Sequence, residues 1–257
     1  MDFPKAEVLI LIFAAGNYFL PPFIQTMPKL KVLVLINNAS SSTILHNLTI
    51  FASLTNLRSV WFEKITMPPL AKIAPLQNLQ KMYLVLCELR KSLKGSTEDL
   101  ATILPCLSNL TIDHCFDLTE LPSSICNVSS LKCISISNCH DLDKLPEFGN
   151  LGYLEILRIY ACPGLKKLPR SICQLKRLKY LDIAQCFNLR DLPEELGHLT
   201  SLEKIDMREC PQVRIIPKSS MLLKSLLHVV CDEEMALAWK EAKRLSLIHI
   251  WRCRRRG

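Results

Sequence analysis

Apolar residues recur along the chain with a period of 23 or 24 residues. A clear copy places isoleucines three and five positions after a first leucine, as in Leu131, Ile134 and Ile136. Apolar and polar positions alternate within each copy, which predicts a short, half-buried β-strand. A cysteine, further leucines and a Leu-Pro step follow the strand. Repetition at this period indicates a solenoid, in which each coil contributes one strand and one return segment.

Eight copies of the pattern are visible between residues 1 and 231, and residues 8–21 are interpreted as a ninth. Val8 and Leu9 offer two competing phases for this first copy. In the next copy, Asn38 is predicted at the position where later copies have cysteine. The insertion from Lys91 to Asp99 is predicted to form a polar loop or a short capped helix on the outer face.

The core pattern L-x-x-L-x-L-x-x-[N/C] resembles the leucine-rich repeat over nearly the whole chain. The alternation and the resemblance together predict an α/β fold. It is a horseshoe-shaped solenoid with a parallel sheet on the concave side and irregular or short helical segments on the convex side. Each coil would bury its leucines only against its neighbours, so stability should add up coil by coil.

The pattern changes after residue 231. Residues 232–244 have the spacing of a helix with Trp239 facing inward, and they are predicted to cap the last coil. Residues 245–257 fit neither a repeat nor a cap and resemble a translated sequencing adapter, so they are interpreted as a non-native tail. Four arginines in this tail supply half of the formal net charge of +8, which leaves the repeats only mildly basic.

Composition excludes several classes of protein. The chain is 49% hydrophobic and 22% charged, which is typical of a globular protein. The longest apolar run, residues 8–15, is far shorter than the roughly 20 residues of a membrane-spanning helix. None of the seven glycines lies in a phosphate-binding loop, and no catalytic arrangement is recognisable. We therefore expect no enzyme activity, no metal and no cofactor in this chain.

The recurring cysteine is interpreted as structural, because a small buried side chain there can hydrogen-bond the backbone of the turn. A zinc site or a disulfide ladder is the weaker alternative, since the cysteines lie in a line with one in each coil. A reduced, intracellular protein is the simpler interpretation. Four glycosylation sequons and a signal-like start favour an extracellular one. The ladder consists of Cys87, Cys115, Cys139, Cys162, Cys186 and Cys210.

The residues beside the inward leucines form columns on the concave sheet, and aromatic and arginine side chains there are typical anchors of protein interfaces. Trp61 and Tyr83 could instead fill the core, because the phase of their coils is uncertain. Arg158, Tyr160, Tyr180 and Asp182 lie in well-phased coils and are expected to be exposed. The candidate partner-binding residues are Trp61, Tyr83, Arg158, Tyr160, Tyr180, Asp182, Lys204, Asp206 and Arg208.

The Leu-Pro steps, the C-x-x-L-x-x-L-P segments and the ending from Val229 to Glu234 resemble plant nucleotide-binding leucine-rich-repeat immune receptors. The opening from Asp2 to Val8 and the same ending are similar to the activated-disease-resistance helper class, which has a powdery-mildew-resistance-type coiled coil. The resemblance implies a repeat domain that restrains a nucleotide-binding domain and engages lipase-like immune signalling proteins. ATP or ADP would bind only in an upstream domain.

The leading hypothesis is therefore an interaction and autoinhibitory repeat domain of a cytoplasmic receptor, present here as a fragment. Membrane or nuclear association would come only through the full-length receptor. The alternatives are a standalone repeat scaffold and an extracellular receptor ectodomain. Neither nucleic acid nor a membrane is an expected partner of this segment.

Overall fold

The computed structural model describes residues 3–72, 76–93, 99–243 and 248–251. Within them, parallel strands repeat at about one per coil. They form a large sheet in the order β1-β3-β5-β7-β8-β9-β10-β11-β12-β13-β14 and a small sheet in the order β2-β4-β6. The strands are β1 (Val8–Phe13), β2 (Asn17–Phe19), β3 (Val32–Asn37), β4 (Thr43–His46), β5 (Ser59–Glu63), β6 (Ile65–Thr66), β7 (Lys81–Val85), β8 (Asn109–Asp113), β9 (Cys133–Ser137), β10 (Ile156–Tyr160), β11 (Tyr180–Asp182), β12 (Lys204–Asp206), β13 (His228–Asp232) and β14 (Ile248–Trp251).

Short 3₁₀ helices occupy most of the return segments. A proline precedes several of them, and its fixed φ near −65° suits the entry into a tight helical turn; Pro122 and Pro169 have φ of −64° and −66°. The 3₁₀ helices are Pro22–Thr26, Leu48–Ser53, Leu70–Lys72, Ser123–Asn127, Phe148–Asn150, Arg170–Gln174, Leu196–His198 and Lys218–Leu222.

Three α-helices complete the described fold: α1 (Arg90–Leu93), α2 (Leu100–Ile103) and α3 (Glu233–Lys243). The first two flank the predicted insertion, of which residues 94–98 lie outside the described residues. The Asp99 carboxylate accepts a hydrogen bond from the Ala101 N–H and so caps α2, which is the local chemistry expected at a helix N-terminus.

The core runs the length of the solenoid and is built from the inward residues of each coil. Leu131, Ile134 and Ile136 are fully buried, and the equivalent residues of the neighbouring coils pack above and below them. Strand alternation sends one set of side chains into this core and the other onto the concave face. The predicted α/β leucine-rich-repeat solenoid is confirmed.

A non-glycine residue with positive φ precedes the ladder position in seven coils. Its N–H reaches the next coil, as when Asn138 donates to the Tyr160 carbonyl at 3.0 Å. The left-handed conformation costs an L-residue about 1–2 kcal/mol, so this turn is retained against its intrinsic preference. These residues are Lys64, Leu86, His114, Asn138, Ala161, Gln185 and Glu209.

The coil that contains Asn37 and Asn38 differs from the other coils in the position of its buried turn residue, which is shifted by one residue. Strand β3 continues in extended conformation through Asn37, so Asn37 faces the core and is buried, whereas Asn38 is exposed. The assignment of Asn38 to the ladder position was therefore wrong. The Asn37 side chain donates to the carbonyls of Ser41 and Lys64 at 2.8 and 3.2 Å. It also accepts from the Ala39 N–H at 3.0 Å.

Replacing Asn37 by alanine should lower the free energy of unfolding by about 1–3 kcal/mol, because buried backbone groups of the turn would lose their partners. Asn38→Ala is the matched control, since the adjacent asparagine is exposed and its loss should change stability by less than about 0.5 kcal/mol. Urea denaturation of the two variants makes the comparison. Equal midpoints would contradict the bridging role of Asn37.

The two ends of the large sheet decide the phase of the first coil and add one strand, β14. Leu9 and Leu11 pair with Leu33 and Leu35, so the first coil takes the phase that begins at Leu9. At the other end, β14 lies within the segment interpreted as a non-native tail and pairs in parallel with β13. Residues 244–247 and 252–257 lie outside the described residues.

Candidate protein-interaction surface

The concave face presents three columns of side chains that cross the large sheet. Strand register places the central column in one line, with successive members on neighbouring strands about 4.8 Å apart. Neighbouring members can therefore contact the same bound group. From the N-terminal end the central column reads Ile10, Val34, Trp61, Tyr83, Thr111, Ser135, Arg158, Asp182, Asp206 and Val230.

Trp61 and Tyr83 lie on this concave face and not in the core. Their rings stack with centroids 5.3 Å apart and an interplanar angle of 27°. The Trp61 indole N–H donates to the Glu63 carboxylate at 3.2 Å, which orients the ring. Both side chains remain partly accessible, so together they offer a preorganised aromatic surface.

Asp182 is the centre of a hydrogen-bond network on β10 and β11. Its carboxylate accepts from the Arg158 guanidinium at 3.0 Å, from the Tyr180 hydroxyl at 3.2 Å and from the Ala184 N–H at 3.1 Å. Arg158 also lies over the Tyr160 ring, with 4.8 Å between its guanidinium carbon and the ring centroid. Arg158, Tyr160 and Tyr180 thus form one contact network around Asp182.

The next coil repeats this arrangement with different residues. Arg208 binds both carboxylate oxygens of Asp206 through Nε and Nη2, each at 2.8 Å. The Lys204 ammonium lies 4.7 Å from the centroid of the Tyr180 ring. Such a two-pronged arginine–carboxylate pair fixes the direction of the guanidinium. The candidate residues at this end of the face are therefore held in defined positions.

Burial sets the protonation behaviour of the network. Desolvation raises the pKa of the Asp182 carboxyl, an effect that the hydrogen bond from Ala184 and the charge of Arg158 reduce. Desolvation, followed by the negative charges of Asp182 and Asp206, raises the pKa of the Tyr180 hydroxyl. Tyr180 therefore remains protonated and continues to donate to Asp182 at neutral pH.

The expectation that Asp182 is exposed was wrong, and Asp206 is buried as well. Each residue retains only 3% of its accessible surface. Alternation along the strand directs both side chains outward, but the side chains that bind them also cover them. The solvent therefore meets the cations and aromatic rings of this region before its carboxylates.

The ladder cysteines are buried and bonded to backbone carbonyls. Cys186 Sγ donates to the Ile159 carbonyl at 3.1 Å, and Cys210 Sγ donates to the Ile183 carbonyl at 3.0 Å. Burial raises the pKa of the Cys139 thiol to about 12 and that of Cys162 to about 11. The eleven cysteines in the described part of the chain are free thiols. This bonding matches the structural interpretation of the ladder.

Thiol modification should distinguish the ladder from the surface. At pH 8 we expect a maleimide to modify the exposed Cys106 in the native chain and to leave Cys139 and Cys162 unmodified, because thiolate is the reactive form. A Cys253→Ser background removes the tail thiol from the count. Mass spectrometry before and after unfolding in guanidinium gives the readout. Rapid modification of native Cys139 would contradict the buried assignment.

Within the described ranges, no cluster of three or more histidine, cysteine or acidic residues could hold a metal ion. No helix in these ranges is long and apolar enough to cross a membrane.

A family model described as a leucine-rich repeat region matches residues 123–209. Disease resistance protein ADR1 of Arabidopsis thaliana is 49% identical over 248 residues, which cover 95% of this chain and 31% of ADR1. The chain is a leucine-rich-repeat region similar to that of plant disease resistance proteins.

Other relatives of this disease-resistance repeat region carry similar names. One probable disease resistance protein of Arabidopsis thaliana is 44% identical over 95% of this chain and 58% of its own length. A second is 54% identical over 52% of this chain and 16% of its own length. The repeat region thus spans between about a sixth and three fifths of these relatives.

Solved structures support the fold of the disease-resistance repeat region. The leucine-rich repeat domain of the type III effector XopL has a TM-score of 0.73 at 23% identity and covers 91% of this chain and 79% of its own. The Toll–Spätzle complex of Drosophila has a TM-score of 0.64 at 18% identity, over 89% of this chain and 30% of its own. At these identities the likeness concerns the fold alone.

Proposed function

We propose that the chain is the protein-interaction and autoinhibitory repeat domain of an intracellular plant disease-resistance receptor that acts in innate immune signalling. It restrains the nucleotide-binding domain of the receptor and engages lipase-like signalling proteins. ATP or ADP binds in that separate domain and not in the repeats. The similarity to ADR1 over 95% of this chain supports a receptor of this class.

The arrangement of the concave face carries this proposal. A preorganised Trp61–Tyr83 stack lies toward one end of the face, and Arg158, Lys204 and Arg208 lie toward the other. Tryptophan, tyrosine and arginine supply most of the binding energy at protein interfaces. The hydrogen bonds and ring contacts that fix these side chains reduce the entropy lost when a partner binds.

Lys204 is the most suitable probe of this surface. Arg158, Tyr180 and Arg208 hold buried carboxylates, so their replacement would perturb folding as well as binding. The Lys204 ammonium lies over the face of the Tyr180 ring and binds no buried carboxylate among the described residues, so its charge can be reversed at a lower structural cost.

The test is isothermal titration of the chain with the purified nucleotide-binding domain of ADR1. We expect association of the parent chain and about tenfold weaker association of Lys204→Glu. Lys166→Glu is the matched control, because it makes the same charge change at an exposed position in a return segment, outside the concave sheet. No association of the parent chain, or equal loss in both variants, would contradict the proposal. Thermal unfolding of each variant verifies its fold.

A further inference from the structure

The concave face is not uniform along the solenoid. The outward residues of its first two strands are all apolar, and the next two strands add the aromatic stack beside Ser59, Glu63 and Lys81. Val8, Ile10 and Ile12 of β1 are 55%, 57% and 62% exposed. They lie in register with outward residues of β3, and the apolar surface continues to the aromatic stack. We name this surface the apolar patch, which consists of Val8, Ile10, Ile12, Val32, Val34, Ile36, Trp61, Tyr83 and Val85.

The apolar patch is additional to the core. Leu33 and Leu35 of β3 already fill the interior of their coil, and Leu9 and Leu11 pack against the same core. The outward residues of these strands are therefore not needed to fill the core of their own coil. A contiguous exposed apolar surface of this kind typically marks an interaction site.

The middle of the face carries small polar side chains and one carboxylate. The outward residues of β8 and β9 are Asn109, Thr111, Asp113, Cys133, Ser135 and Ser137, and the Asp113 carboxylate accepts hydrogen bonds from Ser137 and Asn138. Short side chains leave room for the backbone of a partner to approach the sheet closely. Because these side chains are polar, we expect no hydrophobic part of the partner to lie over them. This region separates the apolar patch from the charged end.

The charged end presents cations to solvent although it contains carboxylates. The side chains of Arg158 and Arg208 are 42% and 30% exposed, whereas those of Asp182 and Asp206 are 5% and 4% exposed. Lys204 begins β12, two strands from Arg158 and four residues before Arg208, and is also accessible. We name Arg158, Lys204 and Arg208 the cation cluster. The chemistry it favours is a carboxylate at the surface of a partner.

We infer that a protein partner binds through one amphipathic helix that lies along the concave face, across the strands, with apolar residues on the apolar patch and carboxylates at the cation cluster. This inference rests on the proposed function and specifies the partner. The step from Ile10 on β1 to Lys204 on β12 crosses eight strand spacings, or about 38 Å, which a helix of about 26 residues spans. Three columns about 7 Å apart form a surface about 14 Å wide, on which a helix about 10 Å wide can lie.

Charge and shape disfavour two other occupants. A second copy of the chain that used the same face would place apolar residues or cations opposite the cation cluster, and neither complements it. A flat bilayer cannot follow the concave side of a solenoid. The complementary occupant is therefore a partner helix that carries acidic residues at one end only.

The probe is a designed 26-residue amphipathic helical peptide with leucine and tryptophan on one face of its N-terminal half and three glutamates in its C-terminal half. This polarity also places the negative end of the helix dipole at the cation cluster. A second peptide has lysine in place of each glutamate. Fluorescence anisotropy measures the binding of both peptides to the full chain.

We expect the glutamate peptide to bind at least about tenfold more tightly than the lysine peptide. Lys204→Glu should reduce this preference by about tenfold, and Ile10→Ser should weaken both peptides. Leu237→Ser is the matched control for Ile10→Ser, because Leu237 is 65% exposed on α3. Sedimentation velocity determines whether the free chain is a monomer.

Equal affinity for the two peptides, or no binding of either at about 1 mM, would overturn the inference. A dimer of the chain that dissociates in Ile10→Ser would also overturn it, because a second copy would then cover the apolar patch. If the nucleotide-binding domain of ADR1 binds the chain but neither peptide does, the proposed function is retained and only the inference of a partner helix is contradicted.

Discussion

Replacing Trp239 by alanine is expected to lower the free energy of unfolding of the C-terminal coils by about 3–5 kcal/mol. Trp239 lies on α3, is fully buried, and donates its indole N–H to the Met207 sulfur at 3.3 Å. Its ring lies in the hydrophobic core next to the last coils, where α3 packs against β13. Truncation would leave a large cavity there.

Leu237 provides the control on the same helix, because it is 65% exposed and its replacement by alanine should change stability by less than about 0.5 kcal/mol. Hydrogen exchange should locate the loss in Trp239→Ala to α3 and β13, since coils of a solenoid are stabilised mainly by their neighbours. Unchanged thermal unfolding and unchanged exchange in Trp239→Ala would show that the helix does not shield the last coil.

Replacing Arg208 by alanine should cost about 3 kcal/mol, at the low end of the range for loss of one partner of a buried ion pair, because Arg208 is partly exposed. The Asp206 carboxylate would lose both of its contacts at 2.8 Å while its side chain stays 4% exposed. The uncompensated charge would destabilise the coil more than the missing contact alone.

A double-mutant cycle tests this explanation. Asp206→Asn in the Arg208→Ala background removes the buried charge and should recover most of the lost stability. Lys204→Ala on the same strand is the control and should cost less than about 1 kcal/mol. Equal stability of the single and double variants, measured by urea denaturation, would contradict the buried-charge account.

The sequence was sufficient for the class of fold because one period controls every core contact. Residues such as Leu131 and Ile134 are buried against the same positions of the neighbouring coils, so the repeat spacing and the strand alternation carry the same information. The phase of the first coil was ambiguous from sequence. Pairing of Leu9 with Leu33 decided it, and this contact between coils is not visible in the local pattern.

The candidate surface was less predictable than the core. Alternation correctly directs Asp182 and Asp206 outward, but it contains no information about which neighbouring side chains fold over them. Asp182 is covered by Arg158, which lies 24 residues earlier in the sequence, and by Tyr180, which lies two residues earlier. Asn37 differs for a related reason: whether the chain turns before or after it depends on the turn geometry of that coil.

The short sequence separation of paired strands has a consequence for folding kinetics. Leu181 pairs with Ile205, and Ile205 pairs with Val229, each 24 residues later, and the separation stays within 19 to 28 residues across the described large sheet. Paired strands are therefore separated by only about a tenth of the chain length, as in helical bundles, although the contacts form a parallel sheet. Such a sheet can nucleate within a few coils and grow outward, without the long loop closures that slow most parallel sheets.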